Sequence, residues 1–311
     1  MKKRLVGLFL TITCSAGLLS GCASTDKADL NFNEMKLEKI EEMAKEEGAV
    51  NSVGMPDTWA NWGETWTEIN SLYAIEHTDL DMSSAEEIAM FKEEGTDATN
   101  DALVETAPTS FADILEGDYK VTIGDVSNAS QAQHAILATA YAMGGDIDNL
   151  QPAYDFWMQL AEQGRIDTGD TSTARIESGE IAVGLFWDYN SLNYRDNAVK
   201  NNPDAAFTIN IPSDGSVQSG YASIINVNAP NPAAACLSRE YILSDEGQIN
   251  LAIGYATPIR EKVEIPAEVQ EKRIPAEQYA SAIAVQDFEK WTEVCKEIIT
   301  YWEENIIPAI Q

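Results

Sequence analysis

The chain is 311 residues long, 44% apolar and 23% charged, and sets 20 Lys+Arg against 51 Asp+Glu for a formal net charge of −31. Such a surface repels nucleic acid and anionic lipid headgroups, so neither is expected as a partner. The acids are spread along the chain rather than gathered in a tail, which reads as solubility of an exported protein, and the length supplies one large core or two medium ones.

The first element is Met1-Lys2-Lys3-Arg4, then an apolar run from Leu5 to Leu19, then Leu19-Ser20-Gly21-Cys22. A basic cluster, an apolar stretch too short to span a bilayer and a small-residue cleavage site make a secretory signal peptide over 1–21. The ending resembles the lipobox of bacterial lipoproteins, which implies lipidation of Cys22. The expected location is therefore extracytoplasmic, with membrane contact through the lipid anchor only. Removing 1–21 takes away three basic residues and no acid, leaving 17 Lys+Arg against 51 Asp+Glu. Residues 22–36 are polar and without periodicity early on, and read as a tether.

A helix carrying Met35, Ile40, Met43 and Ala44 follows, stopped at Gly48. Residues 49–54 read as a strand, and Trp59, Trp62, Trp66, Ile69 and Leu72 stand at helical spacing. After a strand over Glu76–Asp81, Ser84 and Glu87 are spaced as a capping box, starting a helix that runs to Gly95. Beyond it the alternation continues: a strand at Val121–Ile123, a loop at Gly124–Asn128, and helices over Ser130–Met143 and Leu150–Gln163. Glu180–Trp187 is a β-type run with a helix-compatible stretch behind it. Phe207–Ile211 and Tyr221–Val227 read as strands, and Pro232–Ile242 and Phe288–Ile306 as helices. Strands separated by helices predict an α/β fold with mostly parallel sheets.

Several segments resemble extracellular solute-binding proteins of ABC importers, in the branch serving iron, thiamine, polyamines and aminophosphonates. They are Lys45-Glu46-Glu47-Gly48-Ala49-Val50, Ser83-Ser84-Ala85-Glu86, Ala107-Pro108-Thr109-Ser110-Phe111, Gly184-Leu185-Phe186-Trp187-Asp188, Ala229-Pro230-Asn231-Pro232, Ser244-Asp245-Glu246-Gly247-Gln248 and Gly254-Tyr255-Ala256-Thr257-Pro258. The resemblance implies a two-lobe periplasmic-binding-protein-like fold of type II, with a ligand clamped between the lobes and delivered to an ABC transporter permease. Lobe 1 is expected over 37–107 and 216–260 and lobe 2 over 108–215, with residues 261–311 packing as C-terminal helices across the hinge side. One departure stands out. Gly95-Thr96-Asp97-Ala98-Thr99 runs almost directly into Asn100 and Pro108, where the family places further strands, so an internal deletion near residues 96–104 and an incomplete first lobe are expected.

The candidate ligand-binding residues are Asp57, Trp59, Ser83, Ser84, Asp125, Ser127, Ser130, Trp187, Asp188, Tyr189 and Tyr221. Carboxylates at strand ends and aromatic faces both favour a cation, so an amine-bearing solute is the first choice. Serines before a helix can instead offer amides to an anion, which keeps an aminophosphonate open. Asx and Ser side chains in such loops also serve as simple caps, and a Trp59/Trp62/Trp66 stripe is also what a core helix carries. His77 and His134 stand alone in their segments, so no metal and no cofactor is expected. Cys236 and Cys295 remain after the lipid cysteine; they either pair or lie separately buried. The chain has no Gly-x-Ser-x-Gly elbow, His-Glu-x-x-His pair or phosphate loop, so it reads as a monomeric binding protein and not an enzyme. Two alternatives stay open, a degenerate binding protein without ligand and a lipid-anchored carboxylate-dependent hydrolase.

Overall fold

A computed structural model describes residues 30–53, 55–80, 107–203, 205–226 and 228–310. The signal segment, Cys22, Ser83, Ser84 and the junction at 96–104 lie outside the described residues.

Two cores organise the chain. The first begins with α1 (Leu37–Glu47), whose C-cap Gly48 takes φ +67°, a left-handed turn that glycine adopts without a Cβ penalty. That turn feeds β1 (Ala49–Val53), which pairs in parallel with β2 (Glu76–Leu80) across the intervening α2 (Trp62–Tyr73). Trp66 and Ile69 of α2 are buried with Ile40, Ala44, Val50 and Ile75. The rest of this core arrives from far along the sequence, from α8 (Pro232–Ile242), which packs Ala233, Leu237 and Tyr241 onto α1. Pro232 sits in the first turn of α8, where a missing N–H costs nothing. The next helix, α9 (Asp245–Ile253), is capped by Ser244, whose Oγ accepts from the Gly247 amide at 3.1 Å. At its end, Gly254 lies against Ala60 and Asn61, and a Cβ there would run into their backbone. Asn61 answers by donating Nδ2 to the Asn250 carbonyl at 3.0 Å.

The second core is larger. Its sheet is parallel, with β3 (Val121–Thr122) between β4 (Ile166–Asp167) and β5 (Val183–Gly184). Around it lie α3 (Phe111–Glu116), α4 (Ser130–Ala142), α5 (Gln151–Glu162) and α6 (Thr173–Glu177), of which α4 and α5 pack together. Phe111, Ile136, Leu137, Trp157 and Leu160 form its centre. The chain leaves through α7 (Asp188–Asn201) and β6 (Val217–Gln218), and returns through α10 (Ala267–Gln270), β7 (Ile283–Ala284) and α11 (Phe288–Tyr301). In the C-terminal segment, α11 and the wider turn after it place Trp291, Val294, Ile298, Trp302 and Ile306 inside this second core. Their spacing of three and four explains it, because one apolar stripe faces α4 and α5.

Three strand expectations change. Of the run 180–187, only Val183–Gly184 pairs, because the Arg175 carbonyl turns the chain by accepting from Glu180 at 3.0 Å, and Trp187 already bends into α7. Residues 207–211 form no strand; Ile209 and Ile211 pack in a small cluster with Leu192, Tyr255 and Ile274, and the Ile211 amide donates to the Gln278 side chain at 3.0 Å. Residues 221–226 are irregular as well, with Tyr221 72% and Ile224 90% exposed. Cys236 and Cys295 are free thiols, in the first core and against the second respectively. Among the described residues no helix is long and apolar enough to cross a membrane.

Candidate functional site

A cavity of about 1350 Å³ opens between the second core and the segment 256–285. One wall is the face of α4 that carries Ser130, Gln131, His134 and Ala138, residues at helical spacing. A second wall is the chain from Ala182 into α7, and a third is the returning segment with Thr257, Arg273 and Tyr279. The strand end at β5 and the N-terminus of α7 therefore meet the cavity, the usual place for a ligand on an open parallel sheet.

Five of the expected ligand residues line it: Ser130, Trp187, Asp188, Tyr189 and Tyr221. Trp187 is the N-cap residue of α7, and its extended backbone turns the indole toward α4. The ring centroid lies 5.2 Å from that of His134 and 6.4 Å from that of Tyr221, the latter edge-to-face. Asp188 opens the helix, and its Oδ2 accepts from the Tyr279 hydroxyl at 2.8 Å. Tyr189 shares a hydrogen bond with Tyr221, and burial first, then the neighbouring Tyr221, pushes its hydroxyl far above the ordinary tyrosine range. Burial and then the Asp188 charge push Tyr279 in the same direction. Both phenols are neutral donors throughout the physiological range.

The other candidates sit elsewhere. Asp57 is exposed in the turn after β1, where its carbonyl accepts from Gly63 at 3.2 Å, and the half-buried Trp59 accepts from the Trp62 amide at 2.8 Å. Asp125 builds the loop before α4: its carboxylate takes the Ser127 amide at 2.9 Å and Asn128 Nδ2 at 2.8 Å. Ser127 Oγ donates to Glu303 at 2.8 Å and so ties that loop to the C-terminal turn. An incoming anion would meet the Asp125 carboxylate already on those groups. None of these four residues lines the cavity.

Sequence reasoning missed His134, Arg273 and Tyr279. His134 is 4% exposed, donates from Nδ1 to the Ser130 carbonyl at 2.7 Å, and lies against Trp291 as well as Trp187. Its Nε2 has no partner among the described residues. Burial, against the opposing pull of the Ser130 carbonyl, lowers its pKa, so the ring is neutral. Arg273 spends its guanidinium on the end of α9, donating to the Ala256 carbonyl at 3.3 Å and to Thr257 Oγ1 at 3.0 Å. A cation at a helix C-terminus is favourably placed in any case.

A Ser, a His and an Asp also meet at the first sheet, and the protons there run the wrong way for a nucleophile. Ser52 Oγ donates to Asp79 Oδ1 at 2.5 Å, so it accepts from His77 Nε2 at 2.7 Å. An imidazole that donates to the hydroxyl does not take its proton. His77 is stacked flat on Trp66 at 3.7 Å and 9°, which makes the cluster part of the core's edge. Among the described residues no group of three or more His, Cys, Asp or Glu is placed to hold a metal ion.

Residues 97–290 match the family model of the bacterial extracellular solute-binding proteins. Solved structures agree on the fold. An extracellular solute-binding protein of Bordetella parapertussis superimposes with a TM-score of 0.55 at 14% identity, over 83% of this chain and 99% of that one. An ABC transporter protein of Clostridium perfringens gives 0.51 at 14%, over 83% and 99%. The Atu4243-GABA receptor gives 0.54 at 14%, over 82% and 96%. No curated protein matches the chain.

Proposed function

We propose, for a chain that belongs to the bacterial extracellular solute-binding proteins, that it captures a small amine-bearing solute in the cavity at α7 and hands it to an ABC transporter permease. Membership itself makes it a binding protein of the extracytoplasmic side rather than an enzyme, and removes the hydrolase alternative. The observation that carries the amine is the meeting of Asp188 with Trp187, Tyr189 and Tyr221 in one cavity wall. A carboxylate gives the ammonium a counter-ion, and the aromatic faces add cation–π attraction. The aminophosphonate reading is weaker, because the amides before α4 already hold the Asp125 carboxylate. Residues 37–107 with 216–260 and residues 108–215 then act as the two lobes that close on the solute. Cys22 is the proposed lipid anchor of a monomer, and Cys22→Ser should release the protein from membranes.

The deciding experiment is calorimetric titration of the mature chain with a polyamine, thiamine and an aminophosphonate. Binding of either amine supports the reading. Binding of the phosphonate alone overturns the choice of ligand, and binding of none supports a degenerate protein.

A further inference from the structure

The whole chain carries 51 acidic residues, yet among the described residues only Asp188 and Glu177 bring a carboxylate to the cavity. Glu177 keeps its charge but already accepts from Asn201 Nδ2 on both oxygens at 3.1 Å, whereas Asp188 stands between the aromatic side chains Trp187 and Tyr189. Among the described residues the guanidinium at the cavity is that of Arg273, which is committed to carbonyls and to Thr257. Most of the remaining wall is apolar or aromatic, with Phe186 and Tyr194 edge-to-face at 5.6 Å beside the Trp187–Tyr221 pair. The volume of about 1350 Å³ also exceeds the ~300–1,000 Å³ common for small-molecule sites.

Resting on the proposed function, we infer that this cavity selects a solute with one cationic centre on a ring-bearing, largely apolar body, that Asp188 takes the cation, and that Tyr279 is the residue that positions Asp188. A polyamine brings several ammonium groups into the site, and each needs its own carboxylate or stays in water, since an unpaired buried charge is strongly unfavourable. Here one carboxylate, Asp188, stands beside the aromatic wall. Its Oδ2 is held by Tyr279 at 2.8 Å, so the cation is expected at Oδ1. The ring body then covers the aromatic wall, which a flexible polymethylene chain fills poorly. Tyr279 reaches Asp188 from 91 residues further along the chain, and it fixes the carboxylate without itself being needed as a counter-ion.

The test is titration of the full mature chain with 2-phenylethylamine, with its neutral counterpart 2-phenylethanol and with spermidine. The amine should bind at least about tenfold more tightly than either, given the usual gain from a charge-assisted pair. Asp188→Asn should remove that preference over the alcohol. Tyr279→Phe should cut amine affinity by about five- to tenfold and alcohol affinity by clearly less, a split that lost packing alone does not produce. Spermidine binding more tightly than the aromatic amine overturns this inference and leaves the proposed function standing. Failure of all three ligands, with thiamine also inert, overturns both. A Tyr279→Phe variant that weakens amine and alcohol equally shows a structural role and removes the positioning assignment.

Discussion

The two cores differ in what they offer a ligand. The first, built from 37–80 and 232–253, turns its polar side chains inward: Ser52 bridges His77 and Asp79, Asn61 reaches Asn250, and Thr65 Oγ1, Trp66 Nε1 and Ser238 Oγ are buried without a partner among the described residues. The second presents strand ends, a helix face and the N-terminus of α7 to open space. Affinity should therefore be far more sensitive to changes at 130–189 and 221–279 than to changes at 55–62. The lesson is that a charged residue after a strand is a candidate for ligand binding only where the neighbouring elements leave its carboxylate a cavity to face.

The largest effect that would test this division is in the second core. Trp157 is 1% exposed and donates Nε1 to Thr139 Oγ1 at 3.3 Å, between Phe156 and Trp302. Trp157→Ala should cost about 3–5 kcal/mol in denaturant unfolding, through lost burial and the cavity left behind. Amine binding should be lost with it, because the same core carries α4. A variant that keeps the cavity's affinity at normal stability would separate the site from that core.

Gly254→Ala probes the first core's seam. The added Cβ meets the backbone at Ala60 and Asn61, where no side-chain rotation relieves it. We expect a loss of about 1–3 kcal/mol by thermal or chemical unfolding. If the variant's affinity for an amine falls at unchanged stability, the seam transmits to the cavity and the division is wrong.

Acid should expose the two histidines. Burial lowers the pKa of both His134 and His77 from 6.5. Above that value both the folded and the unfolded chain hold neutral rings, and stability is flat. As pH falls below 6.5 the unfolded chain takes up protons first, so stability declines until the folded pKa is passed. A Tm series from pH 7.5 to 5 should fall, and His134→Phe should flatten the part due to α4. An increase in Tm over that range would contradict the burial of both rings.

How far the sequence revealed this depends on period. Pro232–Ile242 and the helix from Phe288 were legible because apolar residues recur at three and four. The structure adds a cap that was not read from the sequence: Asp287 accepts from the Lys290 amide at 2.9 Å. The five-residue helix Thr173–Glu177 was not legible, since five residues hold little more than one period. Phe207–Ile211 misled because β-branched residues favour strands and also suit a cavity wall. In the candidate site, Trp187, Asp188 and Tyr189 were expected from their place at a strand end, and they line the cavity. Tyr279 lies in a 3₁₀ turn after Pro275, where no pattern connects it to residue 188.

The smallest effect is the sharpest test of the comparison. Asp57 is exposed, outside the cavity, and yet close enough to raise the pKa of His77. Asp57→Asn should leave amine affinity within about twofold, because an exposed charge acts weakly through water and salt. The same variant should move the His77 titration lower, since burial then meets one fewer opposing carboxylate. Reading both in one sample, by calorimetry and by the His77 ring resonances, shows that the charge was removed from a folded protein. If affinity instead drops tenfold while His77 shifts as expected, the turn after β1 comes down on the bound solute. Asp57 then joins Asp188 as a counter-ion, and the first core becomes half of the site.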